Sequence, residues 1–286
     1  MKIGITGDKG ELCLRIIESL EHIFGGIDKI SLFGTEWKQK TFDYDVLIHI
    51  AGVIPRPGVT KSQYFAINGD LSADVARKAF EDGTKHTIVF STMAVYGMKP
   101  SMSKDGGIIY ANTACNPDSN YGKSKLIGEE AFRKLENDCF KVSYLRIPSV
   151  FYEGNTLFME VAKEMYAKFP KFYPKLAVNK GRSVIYAGNI CTVINSIIDN
   201  NIYGIICPQD SPIYSLYDYM NIINEKNNFE KKPSKILGLL VYMLMLIKPE
   251  WKDVFGQIKY DENLASKVAT TSNAYNQWEM LKKSIE

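Results

Sequence analysis

Residues 119–125, SNYGKSK, place a phenol and an amine four positions apart with small residues between them. On a helix, positions i and i+4 share a face and their side chains can meet. A lysine ammonium beside Tyr121 favours the phenolate, so the expected pKa of Tyr121 lies below the ordinary value of about 10. Such a group can take the proton of an alcohol or return it to a ketone. The spacing alone is weak: with 17 tyrosines in the chain, chance supplies about two Tyr-x-x-x-Lys pairs. Tyr121–Lys125 is the one this chain contains.

Two further stretches offer polar groups where a ligand could use them. In FSTMAVYG, 90–97, the hydroxyls of Ser91 and Thr92 close the apolar run HTIVFST. If that run is a buried strand, Thr92 stands at its carboxyl end, where ligands of open α/β sheets bind. In TGDKGELC, 6–13, Gly7 and Gly10 lie between an apolar strand and a helix-spaced segment. Glycine there lets backbone N–H groups approach a pyrophosphate. The competing reading is an ordinary left-handed turn.

The elements that must hold these groups alternate. Apolar runs at 2–6, 29–34, 45–52, 86–92 and 141–147 predict strands, nearly all apolar as expected when both sheet faces are covered. Helix-like spacing covers 11–24, 68–82 and 120–136. Strands alternating with helices imply βαβ crossovers, hence an α/β fold with a doubly wound, Rossmann-like parallel sheet. The expected division is a dinucleotide-binding domain over 1–150 and a smaller α/β substrate lobe over 151–286, some of which could return to the sheet. Helices are expected at 156–168, 189–199, 215–227 and 234–247, with short strands near 183–186 and 203–207.

Composition narrows the class. A net charge of +3 with no basic block argues against nucleic acid. Five cysteines without a CxxC pair and three scattered histidines argue against a disulfide framework and a metal site, and fit a reducing, cytoplasmic compartment. MKIGITGDKG runs straight into a strand pattern and does not read as a signal peptide. The longest apolar run, ILGLLVYMLMLI at 236–247, is shorter than the ~20 residues a bilayer span needs. It reads as a buried or interface helix, with a membrane-surface contact as the alternative.

In order along the chain, TGDKG, HIAG, STMAVYG, NYGKSK and LRIPSVF resemble the motifs of the extended short-chain dehydrogenase/reductases. The resemblance is closest to their nucleotide-sugar epimerase/dehydratase/reductase branch and spans roughly residues 1–200. It implies Tyr121 as acid/base, Lys125 as its electrostatic partner and ribose ligand, and Thr92 as the hydroxyl on the reacting oxygen. It also implies a dinucleotide site formed by Gly7, Gly10, Ala51, Gly52, Asn68, Tyr121, Lys125 and Pro148; for Asn68 a helix N-cap is the competing role. Thr92, Ser149 and Arg182 would meet the sugar nucleotide, Arg182 gripping its diphosphate. A homodimer through two helices of the sheet domain follows from the same resemblance.

The departures from the pattern are informative. Dehydratases resembling this branch carry an Asp-Glu pair after the threonine, whereas Met93 and Ala94 stand there and transfer no protons. Cys13 replaces the third glycine of the turn, Asn189 an aspartate, and Tyr152 a glycine. The second strand ends without a carboxylate; Glu36 is close, and Lys38 could meet a 2′-phosphate. The cofactor is therefore NAD or NADP, with NADP favoured. The segment before DVLIHIAG is short, so one βα unit reads as trimmed. Arg56, in GVIPRPG, either faces substrate or solvates its loop. The expected activity is epimerisation or ketone reduction at C4 of a nucleotide-linked sugar. The alternatives are a silent dinucleotide-binding sensor or docking protein, and a reductase of a non-nucleotide small ketone.

Overall fold

The computed structural model describes residues 1–101, 103, 105–152, 157–175, 181–226, 231–248 and 255–265. The chain opens with β1 (Ile3–Thr6), α1 (Glu11–Phe24), β2 (Asp28–Ile30) and β3 (Val46–His49). A short helix α2 (Lys61–Tyr64) runs through a π-helical stretch, Phe65–Leu71, into α3 (Ser72–Glu81). Then follow β4 (His86–Thr92), β5 (Ile108–Ile109), α4 (Asn120–Arg133), β6 (Lys141–Ile147) and β7 (Ser149–Phe151). The second half holds α5 (Leu157–Ala167), β8 (Phe172–Pro174), β9 (Val184–Tyr186), α6 (Ala187–Asp199) and β10 (Gly204–Ile206). It ends with α7 (Leu216–Lys226), β11 (Lys232–Ser234), α8 (Lys235–Ile247), β12 (Lys259–Tyr260) and α9 (Glu262–Ala265).

Six strands form one parallel sheet in the order β10-β6-β4-β3-β1-β2. The strands are apolar on both faces because both are covered. On one face Ile16, Leu20, Ile190 and Ile194 of α1 and α6 pack on Ile5, Ile48 and Ile88. On the other, Val75, Ala76, Ala79 and Phe132 of α3 and α4 pack on Leu47, Val89 and Tyr144. This is a doubly wound, Rossmann-like sheet. Between β2 and β3 there is only the short 3-10 helix Glu36–Gln39, so a βα unit is indeed missing at that edge.

Segments α6 and β10 of the 151–286 half belong to the main sheet and its cover. The rest of that half builds a second core, in which Tyr166, Tyr173, Tyr219, Met220 and Val241 pack with Phe151 and Tyr186. Two strand pairs, β7–β9 and β8–β11, belong to it. Positions 156 and 227 of the expected helices lie outside the described residues.

The largest departures from expectation concern two boundaries and one burial pattern. The second strand ends at Ile30 rather than 34, because its partner β1 ends at Thr6, the residue paired with Ile30. The helix expected from 68 begins at Lys61, where Thr60 and Gln63 form a reciprocal capping box. The apolar helix α8 is buried along only one stripe, Gly238, Val241 and Met245. Among the described residues no helix is long and apolar enough to cross a membrane.

Candidate active site

The strand-to-helix turn after β1 is tight. Gly7 has φ +91°, and a Cβ there would fall 2.8 Å from both N and Cα of Ala51. Glycine is required on both counts. Gly10 caps α1 without a side-chain acceptor, so the first N–H groups of the helix remain available to an anion. Cys13, in place of a glycine, is buried beside β1, with its thiol 3.9 Å from the Thr6 carbonyl. Burial, with Asp8 nearby, pushes that thiol up to about 12, so it packs as a neutral small group. One carboxylate oxygen of Asp8 is buried in the turn without a hydrogen-bond partner.

Lys125 lies at the end of β3. A Cβ on Gly52 would meet Asn68 Oδ1 at 2.9 Å and Lys125 Nζ at 3.5 Å. Asn68 sits inside the π-helical stretch rather than at an N-cap, which removes the capping role. Its amide accepts from Val53 N at 2.8 Å and donates to Val53 O at 3.0 Å and Ser124 Oγ at 3.1 Å. It thus ties the loop after β3 to α4. Gly128 of α4 leaves room for the Asn68 carbonyl.

Tyr121 meets Thr92 because α4 begins directly on the turn that follows β4. Ser119 caps the helix, accepting from Gly122 N at 3.0 Å, and a Cβ on Gly122 would fall 2.5 Å from the Ala94 carbonyl. The small residues between Tyr121 and Lys125 are therefore contact residues. The Thr92 hydroxyl lies close enough to the Tyr121 phenol to lower its pKa. Thr92 accepts from Ala94 N at 3.2 Å, so its own O–H remains available as a donor. The Tyr64 ring packs 6.0 Å from that of Tyr121. Ser91, one residue earlier, is buried with its hydroxyl unpartnered.

The titration of Tyr121 runs opposite to expectation. Burial raises its pKa, and the Thr92 hydroxyl offsets that only in part. Burial likewise draws Lys125 down to about 8, against the attraction of Glu129. Each side chain is pushed toward its neutral form, because burial penalises its charged form more than its partners compensate.

A buried polar layer supports α4. Glu129, fully buried, accepts from Arg146 Nε at 2.9 Å and Nη2 at 2.6 Å, so the helix is clamped to β6. Burial would lower Arg146, but Glu129 more than reverses this and raises its pKa. His49, also buried, bridges Thr6 at 2.8 Å and Ser72 at 3.0 Å. Burial, then Lys125, lowers it to about 3, so it is neutral. Sequence reasoning missed Glu129; its spacing of one helical turn after Lys125 was the signal available, while its partner Arg146 shows only in the fold.

On the substrate side, Pro148 is buried between β6 and β7, and Ser149 is exposed at the start of β7. Ser149 pairs with Val184 across β7–β9, two residues from Arg182, so the fold brings these two candidates together. Arg182 bridges to Ile258 and is half-buried. Asn189 donates to Asp210 Oδ1 at 2.9 Å, and Asp210 also accepts from Tyr186 N at 2.8 Å. The carboxylate missing at 189 is thus supplied from another loop. Burial raises Asp210 to about 7. Tyr152 is buried under Arg15, 4.5 Å from its ring. Arg56 is exposed on its loop. Lys38 lies 3.7 Å from Asp74 and over the Trp37 ring. No group of three metal-ligating side chains occurs among the described residues.

A parallel, doubly wound sheet with a glycine turn after its first strand, and with Thr92 and Tyr121 close together at its carboxyl edge, defines a Rossmann-like protein. The sequence profile of the NAD dependent epimerase/dehydratase family matches residues 21–196, and the chain belongs to that family. No curated protein sequence matches it. Among solved structures, it is similar to WbmG of Bordetella bronchiseptica in complex with NAD, at 17% identity and TM-score 0.74, covering 100% of this chain and 93% of that one. It is also similar to UDP-glucuronic acid 4-epimerase of Bacillus cereus in complex with NAD (17%, TM-score 0.71, 99% and 94% covered). A third is a dTDP-4-dehydrorhamnose reductase of Clostridium acetobutylicum (20%, TM-score 0.68, 100% and 98% covered). At these identities the likeness concerns the fold.

Proposed function

We propose that the protein is a nicotinamide-dinucleotide-dependent epimerase or 4-keto reductase acting at C4 of a nucleotide-linked sugar. The observation that carries this reading is the approach of Tyr121 to the Thr92 hydroxyl at the carboxyl end of β4, with the buried Lys125 one turn further along α4. When bound, the dinucleotide supplies or accepts the hydride at the sugar carbon. Gly7, Gly10, Ala51, Gly52, Asn68, Lys125 and Pro148 would hold it; the narrow turn at Gly7 and the uncapped start of α1 fit a pyrophosphate.

In this reading Tyr121 holds the proton that moves. Its raised pKa keeps the phenol protonated, the form that donates to a ketone oxygen. Thr92 orients that oxygen, and Lys125 compensates the charge left on the phenolate. In epimerisation the deprotonated phenolate takes the alcohol proton as hydride leaves, and the resulting phenol returns it to the ketone oxygen in the second half. Met93 and Ala94 offer no second acid–base pair, so 4,6-dehydration is not proposed. Ser149 and Arg182 are the candidate contacts to the sugar nucleotide. The fold shared with enzymes named for UDP- and dTDP-linked sugars supports this substrate class. Lys38, the basis for favouring NADP, pairs only loosely with Asp74, at 3.7 Å on the exposed surface, and structures similar to this chain were solved with NAD, which supports NAD as the dinucleotide. A homodimer and a cytoplasmic location belong to the same proposal.

The test is mass spectrometry of ligand released from the purified protein, followed by turnover of the identified sugar nucleotide by wild type and Tyr121→Phe. Loss of proton transfer costs at least ~10²-fold, with dinucleotide affinity retained. A variant that turns over at the wild-type rate removes the phenol from the reaction.

A further inference from the structure

Helix α8 presents two apolar faces. Gly238, Val241 and Met245 enter the core of the second half. The opposite face carries Ile236, Leu239, Leu240, Met243, Leu246 and Ile247, all exposed, with Ile236 and Ile247 at 75%. At 3.6 residues per turn these side chains, with Tyr242 at one edge, sweep roughly 160° of the helix surface. An apolar patch of this extent is unusual on a soluble surface and marks a contact.

The charges around it decide what the contact is. No aspartate or glutamate occurs between Glu230 and Glu250, while Lys232, Lys235 and Lys248 flank the helix and are exposed. Lys231 is engaged differently, donating to the Tyr166 carbonyl at 3.0 Å. A second copy of the chain would pair the face with itself across a two-fold axis. Antiparallel α8 helices would then oppose Lys232 and Lys235 of one copy to Lys248 of the other, with no acidic side chain from the same segment to neutralise them. A layer of anionic headgroups over acyl chains meets every feature: apolar residues below, lysines at both ends, and a tyrosine at the rim. Thirteen residues lie along such a surface and do not cross it.

We infer that α8 docks the protein on an anionic lipid surface, with the Ile236–Ile247 face in the acyl boundary and Lys232, Lys235 and Lys248 on the headgroups. This inference does not rest on the proposed reaction. The experiment is co-sedimentation of the full chain with phosphatidylcholine vesicles, with and without phosphatidylglycerol. Binding is expected to the phosphatidylglycerol vesicles and to weaken with salt. Leu239→Glu with Leu246→Glu should lower partitioning by more than about tenfold per residue. Lys232→Gln, Lys235→Gln and Lys248→Gln should each lower it about fivefold. All five positions are exposed, so thermal melting and NADH binding should stay at wild-type values and report intact folding. A wild-type chain that leaves both vesicle types unbound overturns the inference. So does a glutamate double variant that binds vesicles as wild type does, and a fall in its oligomeric mass by light scattering would then assign the face to a second copy.

Discussion

Glu129→Gln is the most informative single change in the cleft. Glu129 is fully buried and takes two bonds from Arg146, at 2.9 and 2.6 Å, with Arg133 3.5 Å away. Glutamine keeps the volume and one acceptor but leaves the buried guanidinium without a counter-charge. Breaking such a pair costs about 3–5 kcal/mol, and the retained acceptor places this variant near 3. For a domain of this size that lowers the melting temperature by about 6–12 °C. A second readout follows from Lys125, whose proton Glu129 helps retain against burial at a pKa of about 8. In the variant Lys125 deprotonates at lower pH, so the alkaline limb of NADH binding, read by fluorescence, moves to lower pH. The double variant Glu129→Leu/Arg146→Met buries no lone charge and should regain most of the lost stability. A single variant that melts within ~1 °C of wild type refutes the role of the pair. So does a double variant no more stable than the single one.

Gly7→Ala places a methyl 2.8 Å from the Ala51 backbone at φ +91°; it should cost about 2–4 kcal/mol and weaken NADH binding, measured by urea unfolding and fluorescence titration. The buried neutral His49, drawn down to about 3 from an ordinary 6.5, predicts acid lability. Between those values the unfolded chain binds a proton that the folded chain refuses, so stability falls as pH drops from 6.5 toward 3, by up to about 5 kcal/mol. In His49→Asn the slope of unfolding free energy over that window should flatten, whatever the baseline loss.

The periodic features were legible in residue order. The i,i+4 placement of Tyr121 and Lys125, the glycine turn after β1 and the apolar run ending at Thr92 all depend on short-range sterics and helical or strand period, which a sequence carries directly. The capping box at Thr60 is equally local but was not read, because the residues it caps, Lys61–Tyr64, carry none of the apolar spacing that marks the helix from Asn68 onward. What only the folded chain decided was desolvation and partnership. The Lys125 ammonium was expected to acidify Tyr121, yet packing around α4 excludes enough water to shift both groups toward neutrality. The loose pairing of Lys38 with Asp74, on another element and 3.7 Å away, shows only in the fold. Asp210 replaces the carboxylate absent at Asn189 from a loop that no spacing rule connects to it. The outward face of α8 depends on which stripe the second core accepts. Local order fixes which groups can share a helix or strand face. How dry each group becomes, and which distant charge it meets, is set by the elements packed around it.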